Sequence, residues 1–299
     1  MTLRSLQIFL AIAEYGNMTK AAEKLFISQP SVSLAVSEIE KTYNVVLFER
    51  LPGKLRLTPT GERLKSYAQR MMSIERDMEQ FLSQEGSSYC VRLGATITVG
   101  SSVISPIIAR MRTEMPKVNY HVSIETTRVL EEMLLNGELD IALVEGEMKN
   151  PSLEVKDFLD DKLVLICAND HPFARREGVT LEELSGVPLI LREQGSGTRE
   201  QFERAARSKG IDTLIRFSSV SYGAIIDAVE NGLGVGVISE RLVHKYYVSG
   251  RLHICELEDA DLSRKFRLAY RRDRYITDIL NAFIRICRDT DLMNGDLTI

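Results

Sequence analysis

The sequence predicts a chain of two folds joined by one long helix. A small winged helical domain is expected over residues 1–58, and an α/β region of two subdomains over 89–299. Three observations predict it. Up to Tyr43, apolar residues recur at helical spacing in three short segments. Between Leu64 and Phe81 they recur at alternating intervals of three and four, the spacing of a heptad seam. From Cys90 on, short apolar runs bounded by Gly and Pro alternate with helical patterns, as in repeated βαβ units on an open parallel sheet.

At 299 residues the chain is long enough for two or three domains with sizeable cores. It is 44% hydrophobic and 27% charged, an ordinary globular composition. No apolar run approaches the roughly 20 residues of a membrane span, and the N-terminus lacks a signal-peptide pattern. A cytoplasmic protein without a membrane partner is expected. Cys90, Cys167, Cys255 and Cys287 are far apart and never in CxxC spacing. They are expected as buried free thiols, with no disulfide framework and no metal site. The formal net charge of −4 argues against a nucleic-acid partner until its distribution is considered. Between Met1 and Thr58, seven cations (Arg4, Lys20, Lys24, Lys41, Arg50, Lys54, Arg56) stand against five acids (Glu14, Glu23, Glu38, Glu40, Glu49), a net of +2 inside an acidic chain.

Leu6, Phe9, Leu10 and Ala13 form the apolar face of a first helix, which Gly16 ends. Asn17 or Thr19 starts a second helix, Thr19 to Leu25, with Ala21, Ala22 and Leu25 inward. Its two adjacent small residues let a following helix cross close to its backbone. After a tight Phe26–Ile27 turn, Ser28 caps a third helix that runs to Tyr43, with Pro30 in its first turn. Val32, Ala35, Val36 and Ile39 are its buried face. Ser31, Ser33, Leu34, Ser37 and Lys41 form a small, mostly uncharged outer face that can approach another surface closely. The second and third helices make a helix-turn-helix, and the third reads as a DNA recognition helix. Val46–Arg50 and Leu55–Thr58, joined by Leu51-Pro52-Gly53-Lys54, read as a β-hairpin wing. Its cations Arg50, Lys54 and Arg56 can reach phosphates or a minor groove. The competing reading is a small helical cap whose charges only keep it soluble.

The run MTKAAEKLFISQPSVSLAVSEIEKTYNVVLFERLPGKLRLTPTGE resembles the N-terminal signature of LysR-type transcriptional regulators, over residues 3–62. The resemblance implies that the recognition helix and the wing contact double-stranded promoter DNA. Carried onto this chain, it names Thr19, Gln29, Pro30, Ser31, Ser33 and Leu34, with Lys54 and Arg56 on the wing. The family very often has arginine where this chain has Leu34. A leucine cannot donate to a guanine edge but can pack on a thymine methyl, so base preference is expected to shift toward Gln29 and apolar contact.

Thr60 is expected to cap a long helix running to about Gln84. Its seam of Leu64, Tyr67, Met71, Ile74, Met78 and Phe81 is either one face of an ordinary amphipathic helix or a pairing surface. A solitary helix between two domains must bury such a stripe, and a partner chain is the simplest cover. The resemblance implies dimerisation through this helix and a homotetramer, and it leaves room for contact with RNA polymerase. Residues 59–88 form this linker, with a hinge at Glu85-Gly86-Ser87-Ser88.

In the C-terminal region, strands are expected at Val91–Ala95, Tyr120–Ile124, Ile141–Val144, Lys162–Ala168, Val235–Ser239 and Lys265–Tyr270. Helices are expected at Val103–Met115, Val129–Asn136, Thr198–Ser208, Tyr222–Asn231 and Ile276–Arg288. Two subdomains, 89–161 with 267–299 and 162–266, are joined by two crossings around a cleft. This resembles the family's effector domain, which is built like a type 2 periplasmic binding protein. In Leu191-Arg192-Glu193-Gln194-Gly195-Ser196-Gly197-Thr198-Arg199, glycines turn the chain from a strand into a helix N-terminus. Ser196, Thr198 and Arg199 add donors, so an anion is the natural ligand. The run is neither a dinucleotide fingerprint nor a P-loop. A second donor set, Thr96, Thr98 and Ser101, also follows a strand, and Tyr222 opens a further helix. The GSGTR run and Asn231-Gly232-Leu233-Gly234-Val235-Gly236 resemble the branch of sulfur- and carbon-assimilation regulators. That implies a small-molecule effector, an oxyanion or a phosphorylated metabolite, held by Thr96, Thr98, Ser101, Ser196, Gly197, Thr198, Arg199 and Tyr222. No cofactor is implied. Gly232, Gly234 and Gly236 read as turn and packing residues.

An enzyme on this α/β core would have to use Cys167 with His171, or Glu145 near Asp140. No motif assembles nucleophile, base and orienting acid, and Asp140 reads as setting up the following strand. A solute-binding protein would leave residues 1–85 unexplained.

Overall fold

The computed structural model describes residues 1–51, 54–82, 90–176 and 178–289. The chain divides into two compact units, 1–92 with 131–140, and 93–130 with 141–299.

In the first unit, α1 (Leu3–Tyr15) ends at Gly16, whose φ of +60° a side-chain-free residue adopts without strain. Asn17 caps α2 (Met18–Leu25), accepting from the N–H groups of Thr19 at 2.8 Å and Lys20 at 3.1 Å, so the helix starts one residue before the expected Thr19. Ser28 caps α3 (Gln29–Tyr43), accepting from Ser31 N–H at 3.3 Å. Buried Val32, Val36 and Ile39 of α3 pack with Leu6, Phe9 and Ile12 of α1 and with Ala21 and Ala22 of α2. Strands β1 (Phe48–Leu51) and β2 (Lys54–Leu57) pair antiparallel as the wing. Phe48 lays its ring 5.4 Å from Phe9, which ties the wing to the helical core. The wing's Pro52–Gly53 turn and the expected hinge at 85–88 lie outside the described residues.

The long helix α4 spans Pro59–Leu82. Thr58, not the expected Thr60, prepares its start: its hydroxyl donates to Val46 O at 2.7 Å and accepts from Gly61 N–H at 3.0 Å. The reason is Pro59, which fits the first helical position where no N–H is needed. Gly61 lies so close to the Leu47 carbonyl that a Cβ would stand 2.3 Å from its oxygen. Tyr67, Met71, Ile74 and Met78 of the expected seam are exposed, and Leu64 is half-buried.

After α4 the chain forms β3 (Cys90–Ala95), α5 (Ile97–Ser102), α6 (Ile104–Glu114), β4 (Asn119–Ile124), α7 (Thr127–Leu135) and β5 (Ile141–Val144). It continues with β6 (Leu153–Cys167), β7 (Gly178–Val179), β8 (Pro188–Arg192), α8 (Gly197–Ser208), β9 (Leu214–Ser219) and α9 (Tyr222–Glu230). Strand β10 (Val235–Ser239), α10 (Glu240–Val248), β11 (His253–Leu257), β12 (Ser263–Arg271) and α11 (Asp278–Cys287) complete it. The strand order is β4-β3-β5-β12-β6-β10-β8-β9, with β11 beside β6 and β7. The sheet is mixed, which corrects the expected open parallel sheet. β3–β5 and β10–β8–β9 are parallel, but β12 runs antiparallel to β5 and β6, and β6 antiparallel to β10. Two long strands cross between the halves, and their direction is set by the crossing rather than by a βαβ turn. β6 is 15 residues long, so its first half was missed. Polar residues at alternate positions there (Glu154, Lys156, Asp160) suppress the apolar run that marks its second half. A bulge between Phe266 and Arg267 of β12 marks the passage.

In the second half of the sheet both faces are covered. Leu163, Leu165, Leu189, Leu191, Val235 and Val237 pack with Phe202 of α8 on one face. Val164, Ile166, Ile190 and Ile238 pack with Ile225, Ile226 and Val229 of α9 on the other. These strands therefore read as continuous apolar runs. Gly234 and Gly236 serve that packing: a Cβ on Gly234 would stand 2.2 Å from the Pro188 carbonyl oxygen, and one on Gly236 2.8 Å from Ile166. Cys167, Cys255 and Cys287 are buried free thiols, but Cys90, at the start of β3, is partly exposed.

Candidate DNA-binding surface and effector cleft

The third helix presents the expected outer face. Gln29, Pro30, Ser31 and Leu34 are exposed and Ser33 half-buried, while Thr19, in the first turn of α2, is exposed too. Leu34 is 59% exposed, an apolar side chain on a polar face. The Gln29 amide reaches the Met18 sulfur at 3.9 Å, a weak contact that leaves it able to turn outward. Phe26, which sequence reasoning treated only as a turn, is 95% exposed and held at φ +56°. Lys54 and Arg56 stand out from β2, and Arg56 meets Glu49 across the hairpin at 3.9 Å, an exposed pair of little energetic weight.

In the second unit the candidate effector residues gather at the carboxyl ends of strands, where α/β folds bind ligands. Thr96 follows β3 and stands at the N-cap of α5, a short helix that the sequence did not suggest; the helix expected at Val103–Met115 is α6. Glu145 follows β5, Arg192 ends β8, and Tyr222 opens α9 after β9. Thr96 and Thr98 both donate to the Glu145 carboxylate, Thr98 at 3.0 Å. Thr98, fully buried, also shares a 2.6 Å hydrogen bond with the Tyr222 hydroxyl. The Thr98–Tyr222 bond joins the two halves of the sheet region directly. Burial pushes the Glu145 carboxyl above its ordinary pKa, while the charge of Arg264, the Thr98 bond and the charge of Arg192 oppose the rise. Burial likewise raises the Tyr222 phenol.

Across from Glu145 lies the start of α8, where Ser196 stands at the N-cap without a side-chain cap bond. Glu145 Cγ lies 3.7 Å from where a Cβ on Gly197 would be, so this carboxylate sits against the first turn of α8. Arg264 of β12 donates to Thr198 Oγ1 at 3.1 Å and to Asp161 Oδ2 at 2.6 Å, and Ser239 donates to the other Asp161 oxygen at 2.6 Å. Arg192 is held by both oxygens of Glu193 at 2.7 Å and stacks 4.4 Å from the Tyr222 ring centroid. Arg192 and Arg264 are both almost fully buried, with side chains 3% and 6% exposed. Among the described residues, Arg192 Nη1 and Arg264 Nη2 nevertheless have no hydrogen-bond acceptor.

Thr96, Thr98, Ser196, Gly197, Thr198 and Tyr222 thus stand together. Two expected residues do not. Arg199 points along α8, where Glu203 holds its Nε at 2.7 Å and its Nη1 reaches Arg192 O and Ser218 Oγ at 3.4 Å. An i,i+4 acid outcompetes the cleft for that guanidinium. Ser101 is exposed at the far end of α5, a helical turn beyond Thr96 and Thr98. Sequence reasoning missed Arg192 and Arg264, and it considered Glu145 only as enzyme material. Their signal was a charge directly after a fully apolar strand (Ile141–Val144, Leu189–Leu191), and, for Arg264, a charge sharing a strand face with Phe266 and Leu268.

The catalytic alternatives do not assemble. Cys167 is buried with its sulfur 3.7 Å from that of Cys255, and His171 Nδ1 accepts from Phe173 N–H in a short turn. Asp140 accepts from the Arg92 N–H at 2.7 Å and from its guanidinium, a structural role as expected. Among the described residues no cluster of His, Cys, Asp and Glu could hold a metal ion, and no helix is long and apolar enough to cross a membrane.

Residues 3–62 match the bacterial regulatory helix-turn-helix family of lysR type, and residues 84–291 match the LysR substrate binding domain. The chain is 32% identical over 262 residues to the HTH-type transcriptional regulator CysL of Bacillus subtilis, covering 87% of this chain and 88% of that one. It is 31% identical over 290 residues to a probable RuBisCO transcriptional regulator of Emiliania huxleyi, covering 94% and 92%. Full-length CbnR complexed with its target DNA shares the fold, with a TM-score of 0.68, 19% identity and coverage of 96% and 99%. With a helix-turn-helix, a linker helix and an effector-binding α/β domain in this order, the chain belongs to the LysR-type transcriptional regulators, DNA-binding proteins and not enzymes.

Proposed function

We propose that the chain is a sequence-specific regulator of promoter activity, controlled by a small anion bound in the cleft of its second unit. The observation that carries this reading is Arg264. Its guanidinium is buried at the first turn of α8 and bonded to Thr198, and its Nη2 has no partner among the described residues. A buried donor without an acceptor is costly, and an anion at a helix N-terminus supplies one. Arg192 Nη1 offers a second such donor. The proposed effector residues are Thr96, Thr98, Ser196, Gly197, Thr198 and Tyr222, joined by Glu145, Arg192 and Arg264. They come from both halves that the strands β6 and β12 connect, so an anion bridging the two halves favours one closure.

On the DNA side, Gln29, Pro30, Ser31, Ser33 and Leu34 read bases from the first turns of α3, with Thr19, Lys54 and Arg56 positioning the backbone. The exposed stripe Tyr67, Met71, Ile74 and Met78 of α4 supports pairing with a second copy, the first step to a homotetramer. Effector-driven closure then changes the spacing of recognition helices within the oligomer, on promoter DNA in the cytoplasm, with RNA polymerase as the downstream partner.

The test is thermal unfolding of the full chain with inorganic phosphate, sulfate and small carboxylates. A bound anion at about 100 times its Kd raises the melting temperature by about 5 °C or more. No rise with any of them removes the anion reading. In a promoter titration, Gln29→Ala is expected to lose sequence preference while keeping native helicity; an unchanged preference would remove α3 from base reading.

A further inference from the structure

The cleft holds a contradiction that narrows its ligand. Two buried guanidinium groups and the first turn of α8 call for an anion, yet a carboxylate is built into the same place. Glu145 reaches from the end of β5 to within 3.7 Å of a Cβ position on Gly197, the first residue of α8. It is fixed there by two threonine donors, Thr96 and Thr98, the second at 3.0 Å. Around it stand Arg264, whose Nη1 is on Thr198, then Arg192, stacked on Tyr222, and Tyr222 itself, bonded to Thr98. Each threonine hydroxyl occupies one lone pair of one carboxylate oxygen, and the remaining lone pairs accept only from a donor.

A ligand made of acceptors alone satisfies Arg264 Nη2 and Arg192 Nη1 but places bare oxygen lone pairs against those of Glu145. That repulsion is strong where water is excluded. A ligand that carries a proton of its own satisfies both sides. Its unprotonated oxygens accept from the guanidinium groups and from the α8 backbone, and its O–H donates to Glu145. Resting on the anion reading of the cleft, we propose that Glu145 is the specificity-determining residue of the effector site, selecting oxyanions that bear an O–H donor and rejecting those that bear none. The positive groups set the affinity for charge, and the single carboxylate sets the discrimination.

Inorganic phosphate and sulfate are the matched probes. At about pH 8 both are tetrahedral dianions of similar size, and only phosphate carries a proton. Calorimetric titration of the full-length protein is expected to give phosphate at least about tenfold tighter binding than sulfate. Glu145→Gln keeps the shape and offers an amide N–H in place of the carboxylate. It is expected to bring the two ions within about threefold, chiefly by strengthening sulfate. Glu145→Ala, checked for a native melt, should also lose the preference. Equal binding of the two ions by the unaltered protein, or a phosphate preference that survives in both variants, overturns the assignment of Glu145 and leaves the anion site standing. Binding of neither ion to the unaltered protein or to Glu145→Gln overturns the anion site itself, and the selectivity with it.

Discussion

Replacing Arg264 by methionine removes the cation that the cleft is built around, and its cost can be worked from the contacts. Arg264 donates to Asp161 at 2.6 Å, in a pair whose side chains are 6% and 0% exposed. In Arg264→Met the Asp161 carboxylate keeps the Ser239 hydroxyl at 2.6 Å but loses its guanidinium, and Thr198 loses a donor at 3.1 Å. Removing one member of a buried pair costs about 3–5 kcal/mol, because the other charge stays behind unpaired. For a unit of this size that corresponds to a fall of about 6–20 °C in the melting temperature. The pair is nonetheless not a net source of stability against apolar residues of like volume. The double variant Asp161→Leu/Arg264→Met should recover most of the loss, to within about 2 kcal/mol of the starting protein. Scanning calorimetry of the full chain reads both values. A loss under about 1 kcal/mol in the single variant, or a double variant no more stable than the single, refutes the reasoning.

Three further outcomes follow from the contacts. Gly234→Ala places a Cβ against the Pro188 carbonyl at a φ of +155°, and should cost about 2–4 kcal/mol in denaturant unfolding; a neutral result would show that the β8–β10 edge yields. Burial raises the Glu145 pKa, so the native chain keeps this proton at pH values where the unfolded chain has released it. Its contribution is full below the ordinary carboxylate range and is lost as pH rises through the raised value, so melting temperature against pH should fall less steeply in Glu145→Gln. Native thiol titration should label Cys90 and spare Cys167, Cys255 and Cys287 until the protein unfolds; rapid labelling of more than one thiol contradicts the packing.

The helical segment was legible because its information is local. Caps such as Ser28, the glycine at 16 and the spacing of Val32, Val36 and Ile39 each act within a few residues. The mixed sheet was not, because the direction of β6 and β12 is decided by a crossing between residues more than a hundred positions apart, such as Leu153 and Arg271. The same division holds in the cleft. Thr96, Thr98, Ser196, Gly197, Thr198 and Tyr222 were readable as donors next to strand ends, a local pattern. Glu145, Arg192 and Arg264 are brought beside them by distant strands, and Arg199 bonds Glu203 on its own helix. A run of donors suggested any anion, and the carboxylate that narrows the choice was visible only once β5 and α8 were placed side by side.

In the proposed regulator, an anion between the two halves changes how the chain binds DNA. Fluorescence anisotropy of a labelled promoter fragment, titrated with the full-length protein with and without saturating inorganic phosphate at constant ionic strength, tests it most directly. Two separated binding curves are expected with phosphate, and one common curve when phosphate is replaced by an equal ionic strength of chloride. Superimposable curves with and without phosphate, in a protein that binds phosphate by calorimetry, would contradict it.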